Sequence, residues 1–451
     1  MVFAAAGMAL IVIFLAVLAL IGLINWGKVN AFLAFLLVAL PVGFTLGLPP
    51  DRLLAAVYQG LGDTLGSVVI IIVLGAMLGK LVAESGAAQQ ITAVMIRAFG
   101  TQHIQWTLMA TGFIIGIPLF YNVAFVLMVP LIFSVVYKYR LPAVYVGLPM
   151  LAALSAMHGF LPPHPAPTAL VAQFHASLGR TFVYGLLVAV PAVVLAGPLY
   201  VRTLKGIVSR PLAGFMAEAL PESALPGRVN SFVSSLLPVL VLTAVAALRA
   251  VLTAGGLLAP ALAFLAEPAI ILLLSVGVAT GSLGLARGRT MSSIMDTYGA
   301  AAKDVAPILL IIGGAGALKQ VLVASGVSGE IAAGLQSTGL PPLVLGWLIA
   351  AVIRVCLGSA TIAGLTAAGV MLPTLARSHA DPNLMALAIG AGSLLLSHVN
   401  DAGFWLFKEY FNLSTKDTLR SWTAMESIVS VAGLAGVLLL NWALPLLPGK
   451  L

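Results

Sequence analysis

Cysteine is almost absent from this chain. Cys356 stands alone among 451 residues, which excludes an intramolecular disulfide and a thiolate metal cluster; in its apolar run it reads as a small packing residue. Charge is scarce as well. Asp, Glu, Lys and Arg make up 8% of the chain, against about 25% in a soluble domain. With 61% of the residues hydrophobic, that shortage excludes a fold solvated by water on all sides. No His-Glu-x-x-His motif occurs, so the helical zinc-protease arrangement is missing. Gly313-Gly314-Ala315-Gly316 lacks the Lys-Ser/Thr ending of a phosphate loop and reads as small-residue helix packing. The first apolar run, Val2 to Ile24, has no basic n-region and no clear cleavage site before Asn25, so a retained helix is expected rather than a signal peptide. The net charge of +8 comes from basic residues scattered between apolar runs. The expected partner is therefore a lipid bilayer and not nucleic acid.

What the chain does have is long apolar runs, and they repeat. A shift of 240 residues brings Tyr58 onto Tyr298, Ile71-Ile72 onto Ile311-Ile312, Ser85-Gly86 onto Ser325-Gly326, His158 onto His398 and Arg180 onto Arg420. In the first copy, spans are expected at about 3–24, 29–48, 64–83 and 181–200, with another interrupted near 158–167. Two arms, about 104–117 and 123–136, are marginal for a full crossing and are expected to form a re-entrant hairpin. Each copy then crosses the bilayer about five times, and an odd number inserts the second copy upside down. The second copy is expected at about 231–252, 268–285, 305–323, a hairpin around Gly358-Ser359-Ala360-Thr361, a span broken near His398, and 421–442. The expected fold is thus an all-α integral membrane protein of two inverted repeats, residues 1–201 and 231–451, joined by a linker at 202–230.

The basic residues test this arrangement independently. Arg52, Arg180, Arg249, Lys319, Arg377 and Lys450 fall on one side, Arg354 stays inside, and the remaining fifteen of the 22 Lys and Arg fall on the other side. The rich side is cytoplasmic by the positive-inside rule. The linker is then cytoplasmic and both termini face outward. Lys80, Glu84 and Lys319, near span ends, are expected to snorkel to the interface. Asp296, Lys303 and Asp304 are expected on an interfacial amphipathic segment.

Backbone at membrane depth must find hydrogen-bond partners, so a break there has to be buried in protein or line a cavity. Four such breaks occur, paired by the repeat: 116–122, 158–168, 358–361 and 397–403. Paired interruptions mark a transporter site, and half-helices starting at them aim their positive ends inward, toward an anion. The second break holds four prolines in six positions, which cannot continue a helix. His158 and His164 within it are candidate donors to a substrate, or packed histidines bonded to backbone carbonyls. Zinc is disfavoured, because no further ligand has the right spacing. A charge at membrane depth costs on the order of 3 kcal/mol, so Arg354 and Asp401 call for a reason. The Arg354 fork fits a carboxylate in bidentate fashion, either a substrate's or that of Asp401 in a structural ion pair. The apolar setting of Asp401 favours its neutral form, making it the candidate proton-coupling residue; capping the helix at the break is the other role open to it.

At these residues a family resemblance appears. His158-Gly159-Phe160-Leu161-Pro162-Pro163-His164-Pro165 resembles the signature of the gluconate permease family. So does Leu396-Ser397-His398-Val399-Asn400-Asp401-Ala402-Gly403-Phe404-Trp405, followed by Leu419-Arg420-Ser421-Trp422-Thr423. Arg354 with Gly358-Ser359-Ala360-Thr361-Ile362-Ala363 matches a third region, and the likeness runs over nearly the whole chain. Ala166 departs from it, standing where many members carry glycine. The resemblance implies proton-coupled uptake of gluconate or a related sugar acid across a bacterial inner membrane. It also implies a place in a wider group of inverted-repeat transporters, often homodimers, that move a transport domain past a scaffold.

The candidate substrate-binding residues are Tyr121, Asn122, His158, Gly159, His164, Thr168, Arg354, Ser359, Thr361, His398 and Asn400, with Asp401 for the proton. No cofactor or metal is expected. Sodium coupling stays open on the residues alone, since small hydroxyl and carbonyl groups at hairpin tips bind that ion. A hydroxy-amino-acid substrate, a passive channel and a membrane-embedded hydrolase using His158, His164, His398 and Asp401 are the competing readings.

Overall fold

The computed structural model describes all residues except 1, 101–102, 117–120, 163, 205, 210–219, 252–258, 266, 337–338, 379 and 447–451. Among the described residues the regular elements are all helical. The first half runs α1 (Val2–Asn25), α2 (Ala31–Thr45), α3 (Pro50–Glu84), α4 (Ala87–Phe99), α5 (Ile104–Gly116), α6 (Tyr121–Tyr139), α7 (Ala143–Phe160), α8 (Pro165–Gln173) and α9 (Leu178–Val194). The second runs α10 (Arg228–Val251), α11 (Ala259–Leu265), α12 (Pro268–Ala279), α13 (Met291–Ala324), α14 (Val327–Gln336), α15 (Pro342–Leu357), α16 (Ala360–Arg377), α17 (Pro382–Gly392), α18 (Ala402–Tyr410), α19 (Thr415–Thr418) and α20 (Ala424–Ala443). Among the described residues, seven helices are long and apolar enough to cross a bilayer, counting α9, α12 and α20 with the turns that extend them.

The same 240-residue offset carries α3, α4, α5 and α6 onto α13, α14, α15 and α16 to within about three residues. The helix ends agree in detail. Ser85 and Ser325 close α3 and α13 with the same backbone angles, φ −72 and ψ −12. Gly86 and Gly326 follow at φ +80 and +75, a left-handed conformation that glycine adopts at little cost.

Helices α3 and α13 differ from the expected spans of 64–83 and 305–323. They are 35 and 34 residues long, about 50 Å at 1.5 Å per residue, and so exceed a hydrocarbon core of about 30 Å. Asp296, Lys303 and Asp304 therefore do not form a separate interfacial segment. Thr290 caps α13, its hydroxyl accepting from the Ser293 N–H at 3.2 Å, and helix then runs through these residues into the apolar part. The polar side chains along it are satisfied laterally. Lys80 pairs with Asp304 at 2.8 Å, and Glu84 pairs with Arg289 at 3.0 Å while accepting from Thr297 at 2.7 Å. Lys80 and Glu84 thus tie α3 to the second half instead of reaching for the interface.

Two groups of helices follow from which faces are apolar. α3 and α13 pack along each other with α2 and α12 beside them. Their crossing is close because Gly60 and Gly316 meet there: a Cβ on Gly60 would stand 2.3 Å from the Gly316 carbonyl oxygen. The small-residue run 313–316 is thus a helix-packing surface. In the second group α5, α7, α9, α15, α17 and α20 pack together. α7 and α17 are apolar all round and buried on nearly every face, as helices at the centre of a bundle must be. Large apolar side chains such as Phe14, Leu37, Leu187 and Leu439 point outward, where a bilayer solvates them.

Candidate functional site

Each break leaves backbone groups without helical partners, and the nearby polar side chains take them up. Carbonyls in the last turn of a helix have no following turn to donate N–H groups to them. His164 Nε2 lies 2.8 Å from the Gly116 carbonyl. Asn400 Nδ2 donates to the carbonyls of Cys356 (3.1 Å) and Val355 (2.8 Å), and His398 Nε2 lies 3.0 Å from that of Val355. Residues 116 and 356 are related by the 240-residue shift. The four prolines act as expected on one count and differently on another. α7 stops at Phe160, but Pro165 and Pro167 sit in the first turn of α8, where a missing N–H costs nothing. Break 116–122 falls partly on residues 117–120, outside the described residues.

The second hairpin tip is fixed by backbone contact. Gly358 closes α15 at φ +67, and a Cβ there would stand 2.1 Å from the Asn400 carbonyl oxygen, so glycine alone fits without displacement. Ser359 then caps α16, its hydroxyl accepting from the Ile362 N–H at 3.4 Å.

Arg354 and Asp401 meet in a buried ion pair through Nη2 and Oδ2. Asp401 also caps α18, Oδ1 accepting from the Gly403 N–H at 3.1 Å. It accepts from the Ser397 hydroxyl as well, and Ser397 Oγ in turn accepts from Trp422 Nε1 at 2.7 Å. Both structural roles open to Asp401 on the sequence are therefore filled. Arg354 is only half engaged. Its Nε and Nη1 donors are buried with no partner, a costly arrangement for a charged group.

Arg354 lines a cavity of about 360 Å³ that reaches from Asp63 to Glu426. α3 and α13 form one wall with Asp63, Thr64, Val68, Ile312, Ala315, Gly316 and Lys319; the hairpin tips and breaks form the other. Of the residues singled out above, Tyr121, His158, Arg354, Ser359, Thr361, Asn400 and Asp401 line it. The Tyr121 hydroxyl, His158 Nδ1 and Asn400 Oδ1 are buried and lack partners. The N-termini of α6, α16 and α18 open onto this space at Tyr121, Ala360 and Ala402, so fixed partial positive charge converges on it.

The others stand behind the wall. His164 packs edge-on against His158, ring centroids 5.5 Å apart. His398 holds the break to α15. Gly159 lies at the crossing of α7 and α17, where its carbonyl would be 2.2 Å from a Cβ on Gly390. Thr168 is in the first turn of α8, off the cavity wall. The side chain of Asn122 lies outside the described residues. Lys319 does not reach for the interface: it lines the cavity and donates to Thr64 Oγ1 at 3.3 Å. Among the described residues, no three His, Cys, Asp or Glu side chains cluster as a metal ion requires.

Sequence reading missed Glu426, Ser155, Asp63 and Thr64. The signal for Glu426 was available, because it is the one ionisable residue in the apolar run 424–443, and such a residue is a functional candidate by default. Ser155 carries no such mark within its apolar helix.

Comparison with known proteins fits these features. The family model for GntP family permeases matches residues 8–443. The high-affinity gluconate transporter of Escherichia coli K12 is 46% identical over 436 residues, covering 96% of this chain and 99% of that protein. The Gnt-II system L-idonate transporter of the same organism is 44% identical over 435 residues, with the same coverage. A gluconate permease of Bacillus subtilis 168 is 41% identical over 446 residues, again covering 96% and 99%.

Proposed function

This chain belongs to the GntP family of permeases, and from that premise we propose that it carries gluconate or a closely related sugar acid into a bacterial cell together with a proton. The observation that carries this reading is Arg354, with two buried donors unpartnered, on the wall of a cavity between hairpin tip and broken helices. Nε and Nη1 lie on opposite edges of the guanidinium, so a substrate carboxylate accepts from one of them and a substrate hydroxyl from the other. The helix N-termini add to that attraction, and Ser359, Thr361, Asn400, Tyr121 and His158 offer groups for a chain of hydroxyls. The cavity volume lies within the range of ligand pockets.

The two halves are proposed to lie oppositely oriented in the inner membrane, with the 202–230 linker in the cytoplasm and both termini outside. Alternating access would then come from the hairpin-bearing group of helices shifting against the α3–α13 pair, in a homodimer. Coupling needs a carboxyl that changes charge in the cycle. Asp401 qualifies if the substrate takes Arg354 away from it, because an unpaired carboxylate would then have to be neutralised.

Uptake of labelled gluconate into proteoliposomes tests the reading. An inward proton gradient at constant sodium should drive accumulation, and excess L-idonate should compete. Accumulation driven only by a sodium gradient at constant pH would overturn proton coupling. Absence of gluconate or idonate transport under either gradient would overturn the substrate assignment.

A further inference from the structure

Glu426 sits in the first turn of α20, one turn beyond Trp422, and is 1% exposed. Glu426 lines the same cavity as Arg354, and the one donor beside its carboxyl is the Ser155 hydroxyl of α7. Asp401 is the opposite case, receiving Arg354 Nη2, the Ser397 hydroxyl and the Gly403 N–H. Several donors, one of them charged, stabilise a carboxylate, whereas burial beside a single hydroxyl favours a carboxylic acid.

The other titratable groups on this cavity are Arg354 from α15, Asp401 before α18, His158 from α7 and Tyr121 from α6, with Asp63 and Lys319 on the α3–α13 wall, where Lys319 is offset by Asp63. α17, also packed against α20, carries no titratable side chain between 382 and 392. α9 carries Arg180, which is exposed, and Tyr184; neither is on the cavity wall. One guanidinium thus serves this end of the cavity. With Asp401 paired and a substrate carboxylate on a remaining donor, a third ionised carboxyl at this end would have no counter-charge. Substrate binding therefore favours the neutral form of Glu426, and by reciprocity a proton on Glu426 favours substrate binding. The cavity runs from Glu426 to Asp63, which is exposed, so water can deliver the proton.

We propose that Glu426 is the carboxyl that takes up and releases the co-transported proton, while Asp401 remains the fixed partner of Arg354. The proton adds to a Glu426 oxygen from water on the entry side and leaves to water on the exit side, with no bond to substrate formed. This rests on the proposed carriage of a sugar acid, and the wild-type protein tests that separately.

In proteoliposomes loaded with a pH-sensitive dye, the wild type should take up protons when gluconate is added. Its gluconate exchange at equal pH on both sides should slow as pH rises, since exchange then lacks the protonated form. Glu426→Gln should lose proton uptake and at least tenfold of gradient-driven accumulation, and its remaining exchange should no longer depend on pH. If Glu426→Gln is inert throughout, Glu426→Asp decides. Recovered proton uptake with a displaced pH profile supports the assignment. A folded Glu426→Asp protein that is uncoupled, or coupled with the wild-type profile, overturns it. Glu426→Gln that still moves protons with gluconate overturns it outright, leaving the carrier reading intact. A wild type that moves no sugar acid sinks the carrier reading instead.

Discussion

Arg354 is held at Nη2 and unpartnered at Nε and Nη1, and that asymmetry is what makes it suited to binding. A buried ion pair adds little net stability, because desolvation offsets most of the attraction, but removing one partner costs about 3–5 kcal/mol. Asp401 therefore keeps a cation at membrane depth that lipid alone would not tolerate, and two donors remain for a ligand. A lysine at this place keeps the charge and loses the planar fork. Arg354→Lys should raise the half-saturating gluconate concentration in exchange assays by roughly tenfold to hundredfold, the equivalent of one charge-assisted hydrogen bond of about 1.5–3 kcal/mol. Unchanged half-saturation would mean that the fork does not grip the substrate. The histidines divide differently from their common motif. His158 faces the cavity, whereas His164 and His398 bond to carbonyls at the ends of hairpin arms.

Among the elements, the hairpin of α15 and α16 depends on one residue without a side chain. Gly358 combines a left-handed backbone with van der Waals contact against the Asn400 carbonyl. A methyl group there must push the tip away from the break that holds Asn400 and Asp401, and left-handed backbone costs a non-glycine residue on the order of 1 kcal/mol besides. Gly358→Ala should insert and remain monodisperse in detergent yet lose most transport. Full transport by this variant would show that the tip and the break need not touch. The long helices α3 and α13 are the rigid counterpart, joined through Gly60 and Gly316 and by the Lys80–Asp304 and Glu84–Arg289 pairs.

For the molecule in its membrane, the proposed alternating access rests on an opposed orientation of the two halves. Trp26, in the loop between α1 and α2, is 85% exposed, and Ser177, before α9, is exposed too. The proposed topology, read from the basic residues, puts these loops on opposite faces. In intact cells, an impermeant maleimide should label Ser177→Cys from outside but Trp26→Cys only after permeabilisation. The native Cys356, at 4% exposure, gives little background. Labelling of both from one face would refute the inverted arrangement.

Much of this was legible in the chain itself. Lipid solvation demands apolar runs of fixed length, and prolines and glycines at membrane depth need a reason, so spans, breaks and the outlying Arg354 and Asp401 could be read from residue type and spacing. Helices α4 and α14 could not, being too short and too mixed in polarity for a hydropathy reading. Packing alone settled whose carboxylate Arg354 meets, which histidines turn away from the cavity, and that Lys319 and Glu426 turn toward it. Direction and distance between segments far apart in sequence are properties of tertiary contact. A single helix determines which residues share a face, but its neighbours determine what that face meets.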